Sequence, residues 1–108
     1  MNFKAYRDAW LEAMNDKDTS KMAKALFDKF IWFNDRYDWC MNKSGTIVWF
    51  IETNFTASDF SCLYENSEVI VGTHNAVEPD APDSSILFIA KIKDKQIISH
   101  QYLREFEK

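Results

Sequence analysis

Glycine and proline are scarce in this chain, two of each in 108 residues. That excludes collagen-like, linker-like and low-complexity architectures, which need one or the other in quantity. Cysteine is as rare: Cys40 and Cys62 stand alone, with no CxxC or histidine spacing around them. Neither a disulfide scaffold nor a zinc site is therefore written into the sequence, and two reduced, partly buried thiols are expected. No apolar run reaches the roughly eighteen residues of a membrane span. The start, Met1-Asn2-Phe3-Lys4-Ala5-Tyr6-Arg7-Asp8, lacks the basic opening and apolar core of a secretory signal, so a soluble, cytoplasmic protein without a membrane partner is expected. Thirteen Lys and Arg against seventeen Asp and Glu give a net charge of −4. Because the basic residues form no stripe, nucleic acid is not an expected partner.

What the chain has in quantity is aromatic side chains: nine Phe, four Trp and four Tyr. This is the composition of a folded protein, and residues 1–108 suffice for one domain with one core, not two. One pocket or one interface is the expected functional unit.

Phe3, Tyr6, Trp10, Ala13 and Met14 recur at spacings of three and four, which predicts an amphipathic first helix. Asn15-Asp16-Lys17-Asp18-Thr19 supplies a turn and a cap, after which Met22, Ala23, Leu26, Phe27 and Phe30 resume the helical period. Phe30-Ile31-Trp32-Phe33 reads as a short strand running into the polar loop Asn34-Asp35-Arg36. Gly45 to Glu52 is ambiguous, since its β-branched residues favour a strand while Ile47, Phe50, Ile51 and Phe55 share a helical face. Beyond it, strands are predicted over Phe60 to Glu65, Glu68 to Val77, Ser85 to Lys93 and Gln96 to Phe106. Two hairpin-short joints, Asn66-Ser67 and Asp94-Lys95, make neighbours antiparallel. Helices followed by an antiparallel meander form an α+β domain.

In this order the chain resembles the nuclear transport factor 2-like superfamily, which includes SnoaL-like cyclases, ketosteroid isomerases and limonene epoxide hydrolases. The likeness rests on Tyr6 to Asp18 with its Asn-x-x-Asp turn, on Leu26-Phe27-Asp28-Lys29-Phe30-Ile31-Trp32, and on Lys93-Asp94-Lys95-Gln96-Ile97-Ile98-Ser99-His100, where the family usually has Gly in place of Lys95. It implies a cystatin-like cone: three N-terminal helices packed on a curved antiparallel sheet and enclosing a pocket. It also places a third helix over Ser44 to Phe55. In such a cone the expected ligand is small and mostly apolar, and any chemistry is acid–base work of the isomerase, cyclase or dehydratase type, with no metal or cofactor.

The family's isomerases carry a carboxylate base just after the first strand, and Asp35 stands at the matching place. Asp in a polar loop is also an ordinary turn residue. The isomerases draw oxyanion donors from a Tyr on the first helix and an acid on the penultimate strand; Trp10 and Phe88 occupy those places, which removes that oxyanion hole. On the last strand Gln96, Ile98, His100, Tyr102, Arg104 and Phe106 alternate with Ile97, Ser99, Gln101, Leu103 and Glu105. The family's pocket parity favours the His100 face. Asp35, His100 and Tyr102 are thus the candidate proton-handling groups, and Trp10, Trp32, Phe50, Phe88 and Arg104 the candidate pocket wall. A lone strand histidine or a buried aromatic is by default read as core. Gly72-Thr73-His74 is similar to a stretch in some SnoaL-like strands, and His74 is equally read as facing solvent or a dimer partner.

Two readings follow. In one the protein binds a small molecule in its cone; in the other it is a non-catalytic association module, pairing as a homodimer through Leu87, Ile89 and Leu103 on the outer sheet face.

Overall fold

The computed structural model describes residues 1–106. Helix α1 (Phe3–Asn15) starts at Asn2, whose side-chain oxygen accepts the Ala5 N–H at 2.8 Å, and it buries Phe3, Tyr6, Ala9, Trp10, Ala13 and Met14. A left-handed Lys17, at φ 62°, turns the chain into α2 (Ser20–Ala25). Strand β1 (Leu26–Asn34) follows with no loop. The helical period read through Phe30 therefore stops at Ala25. From Phe30 onward the buried positions alternate, Phe30, Trp32 and Asn34, and Phe27 is 38% exposed, so pairing within the sheet overrides local helix propensity.

A 3₁₀ turn, Asp35–Tyr37, capped by the Asn34 side chain, leads to β2 (Trp39–Asn42) and then α3 (Lys43–Glu52). The third helix is where the resemblance put it, but it ends three residues before Phe55 because Thr53 is already extended. Lys17 Nζ donates to the carbonyls of Phe50 at 3.0 Å and Thr53 at 2.6 Å, a cation placed on the oxygens a helix end leaves unpaired. The meander β3 (Thr56–Glu65), β4 (Val69–Val77), β5 (Ser84–Lys93) and β6 (Gln96–Phe106) completes the chain. At the last hairpin Asp94 and Lys95 both take positive φ, 52° and 67°. This is the conformation a two-residue hairpin demands, and it accounts for the Gly common at that second place.

The six strands lie in the order β2-β1-β6-β5-β4-β3. All neighbours are antiparallel except β1 and β6, which run parallel. The sheet is thus mixed and open where a wholly antiparallel one was expected. Helices cover one face, and on β5 that face takes Ser84, Ile86, Phe88, Ala90 and Ile92 while their neighbours point out. On β4 it takes Ile70, Gly72, His74 and Ala76. Gly72 is required by close approach: a Cβ there would lie 2.9 Å from Phe88 Cζ and 3.0 Å from Phe3 Cε1. On β6 a register shift opposite Lys91 and Ile92 leaves Ile98 as the extra residue. Ile97 and His100 are therefore both buried, although strict alternation set them on opposite faces.

Cys40 on β2 and Cys62 on β3 are free and exposed, not partly buried. They sit at opposite edges of the sheet, roughly 24 Å apart at about 4.8 Å per strand, far beyond disulfide reach. No described helix is long and apolar enough to cross a membrane.

Candidate functional site

Between the helices and the inner sheet face lies a cavity of about 220 Å³. Its buried floor is Trp10, Met14, Trp32, His74, Ala76, Ile86 and His100, and its half-exposed lip is Trp39, Trp49, Phe55, Tyr102 and Arg104. Trp10 is the hub, reaching in from α1 with its ring 5.0 Å from His100, 5.6 Å from His74 and 5.6 Å from Trp32. Trp32 meets Trp39 and Trp49 edge to face at 5.1 and 4.9 Å, the arrangement aromatic quadrupoles favour.

The two histidines are held differently. His100 is stacked on Phe88 at 5.0 Å, and its Nδ1 lies 2.6 Å from the Tyr6 hydroxyl. Burial pushes the Tyr6 phenol well above its ordinary pKa, opposed in small part by the nearby Trp10 indole, so the phenol keeps its proton. The Trp10 indole N–H itself makes no hydrogen bond of acceptable geometry. With His100 as its one bonded partner, the Tyr6 O–H donates to Nδ1, which leaves the imidazole proton on Nε2. Burial, reinforced by His74, pushes His100 down to about 3. His74 is stacked on Phe60 at 4.5 Å, and its Nδ1 lies 3.1 Å from the Asn75 carbonyl. A carbonyl only accepts, so Nδ1 carries the hydrogen and Nε2 is a bare lone pair, buried and unpartnered. Burial lowers the His74 pKa against that hydrogen bond. At neutral pH one imidazole thus offers N–H and the other a lone pair.

Arg104 closes the rim. Its Nε donates to Ser84 Oγ at 2.8 Å, and its guanidinium covers the rings of Phe55 and Phe106 at 4.9 and 4.4 Å. Its Nη2 stands 3.5 Å from a Glu78 carboxylate oxygen, a charge pairing that leaves that nitrogen without a hydrogen bond.

The cavity brings together Trp10, Trp32, His100, Tyr102 and Arg104. Phe50 and Phe88 lie behind its wall, 0% and 2% exposed, stacking on the residues that form the surface. Asp35 is not there. It is exposed on the 3₁₀ turn, and its carboxylate accepts from Gln101 at 3.4 Å. Gln101 alternates with His100 and Tyr102 along β6, so this contact lies on the side away from the cavity. The position after the first strand matched the isomerase pattern, but the capped turn carries its side chain outward.

Two buried polar groups escaped the candidate set. His74 was legible in parity, since it alternates with Gly72 and Ala76, small residues under a helix. Tyr6 was read only as a helix-face aromatic, and nothing local indicates that its hydroxyl meets a residue 94 positions later.

No family model and no curated protein matches the sequence significantly. Solved structures do match in shape. A nuclear transport factor 2-like protein of unknown function from Burkholderia xenovorans superposes with a TM-score of 0.77 at 6% identity, covering 97% of this chain and 83% of that one. An M. tuberculosis epoxide hydrolase of the limonene epoxide hydrolase-like type gives 0.67 at 12%, covering 96% and 84%. A Catenulispora acidiphila protein with a ketosteroid isomerase-like fold, in complex with trimethylamine, gives 0.67 at 11%, covering 95% and 86%. At these identities the likeness is one of architecture: the chain has the α+β fold of nuclear transport factor 2-like, ketosteroid isomerase-like proteins.

Proposed function

We propose that the protein binds a small, mostly apolar molecule in this cavity and moves a proton on it, as an isomerase, cyclase or dehydratase does. The observation that supports this reading is the unpartnered Nε2 of His74 inside an aromatic shell that also holds His100. A base needs a free lone pair at working pH, and the depressed pKa of His74 keeps it unprotonated there. In the proposed step a proton on a carbon beside a carbonyl passes to His74 Nε2. The electron pair moves onto the carbonyl oxygen, and the N–H of His100 or the hydroxyl of Tyr102 donates to that developing oxyanion. Reprotonation at another atom completes an isomerisation. Asp35 has no part in this scheme.

Acetophenone tests it, because its methyl hydrogens exchange through this very step. In D₂O the protein is expected to speed deuterium uptake, and His74→Gln to reduce that acceleration at least about a hundredfold with the melting temperature little changed. Acceleration that survives in His74→Gln would contradict the assignment of the base.

A second role, self-association, is supported by the outer sheet face. Leu87 and Leu103 are paired across β5 and β6 and are 37% and 47% exposed, with Ile89 beside them at 37%. We propose that this face meets the same face of a second copy in an isologous homodimer. Sedimentation is expected to give a dimer at micromolar concentration and a folded monomer for Leu87→Glu. A wild-type monomer would rule the pairing out.

A further inference from the structure

The polar atoms left without partners around the cavity carry information about what enters it. A buried donor with no acceptor is costly, on the order of 1–3 kcal/mol, and is retained where something supplies the acceptor. Trp32 is 7% exposed and its indole N–H makes no hydrogen bond; Nη2 of Arg104 has only the Glu78 carboxylate, 3.5 Å away and outside hydrogen-bond geometry. Both residues line the cavity, and both nitrogens can only donate. Among the described residues the wall contains one charged side chain, the Arg104 cation, and no carboxylate.

Size sets a second limit. At about 220 Å³ the cavity falls below the roughly 300–1,000 Å³ of pockets for drug-sized ligands, a space suited to one or two rings. Shape sets a third. His100 and Arg104 are four residues apart on one face of β6, about 13 Å along the strand, with Tyr102 between them and its ring 5.8 Å from Trp32. The cavity therefore runs along β6, aromatic at its buried floor and cationic at its rim.

Resting on the pocket reading above, we propose that the ligand is a one- or two-ring aromatic carboxylate, with its ring among Trp10, Trp32 and His100 and its carboxylate on Arg104. The carboxylate supplies the acceptor that Nη2 lacks, in the planar geometry a guanidinium matches, and it competes with Glu78 for that charge. An aromatic shell by itself also suits an alkylammonium ion. Here, however, the cation is already on the protein, and apart from the His74 lone pair, which the proposed proton transfer uses, the unsatisfied atoms around the cavity are donors, so the opposite sign is favoured.

The test is calorimetric titration with 4-acetylbenzoate, its neutral isostere 4-acetylbenzamide, and tetramethylammonium. The carboxylate is expected to bind at least about tenfold more tightly than the amide, the advantage of one charge-assisted hydrogen bond. Arg104→Met should erase that advantage. Because Arg104 also anchors Ser84, a second variant, Glu78→Gln, removes the competing charge from a half-exposed position and should tighten carboxylate binding severalfold. Equal or tighter binding of the amide, or of tetramethylammonium, would overturn the carboxylate assignment while leaving the pocket occupied. Failure of all three to bind would overturn the pocket reading with it.

Discussion

Lowering the pH from 7.5 to 5.0 is expected to cost the fold roughly 2 kcal/mol through His100 alone. Its pKa is depressed in the folded state to about 3 and returns near 6.5 on unfolding. Between those values the unfolded chain binds the extra proton, so stability rises with pH. The contribution of neutral His100 is complete above pH about 6.5 and is lost progressively as the pH falls toward about 3. Burial sets the size of this effect, because a charged imidazole would sit against Phe88 and Trp10 with one hydrogen bond, to Tyr6. Urea midpoints at the two pH values measure it. The double variant Tyr6→Phe/His100→Phe, which removes donor and acceptor together and so leaves neither stranded, should flatten much of the response. An acid loss of the same size in that variant would assign it to other groups.

Phe88→Ala is expected to destabilise the protein by about 3–5 kcal/mol, a fall in melting temperature of more than about 10 °C for a domain this small. Phe88 is 2% exposed, stacks on His100, touches Tyr6 at 6.0 Å and fills the space that Gly72 leaves open. A rigid strand cannot collapse into that void. Ser85, on the outer face of the same strand, should tolerate Ala within about 0.5 kcal/mol. Similar losses at both positions would contradict the placement of the core on one face of β5.

That face assignment was legible without coordinates. The alternation from Ser85 to Lys93 and the two short hairpins fix strand order and parity over the C-terminal half. Residues farther back were harder for identifiable reasons. The helix over Lys43–Glu52 carries β-branched residues and a helical apolar face together, and only the family likeness chose between them. The end of α2 at Ala25 depends on β1 pairing with β6, Leu26 beside Ile97, a partner that no local period reveals. The bulge at Ile98 is equally silent, since apolar residues on both sides of it mask the change of parity.

The candidate site divides along the same line. Trp10, Trp32, His100, Tyr102 and Arg104 followed from periodicity and parity, which report which residues of a regular element share a face, together with the family likeness, which chose the face that lines the pocket. Asp35 did not, because it sits on a turn, where an aligned position says nothing about side-chain direction. His74 shared the correct parity, but a single histidine is chemically ambiguous until its Nδ1 is seen committed to the Asn75 carbonyl. The unpartnered nitrogens of Trp32 and Arg104 are properties of packing, and no pattern of residue types contains them.

The claim on which the rest depends is that the aromatic cavity is where a ligand binds. Following the four indole N–H resonances during titration with 4-acetylbenzoate tests it directly, because each indole reports its own surroundings. The Trp32 and Trp10 signals are predicted to move together and saturate, with the amides of Leu87, Ile89 and Leu103 unmoved; shifts confined to the outer sheet face, with the indoles unchanged, would contradict it.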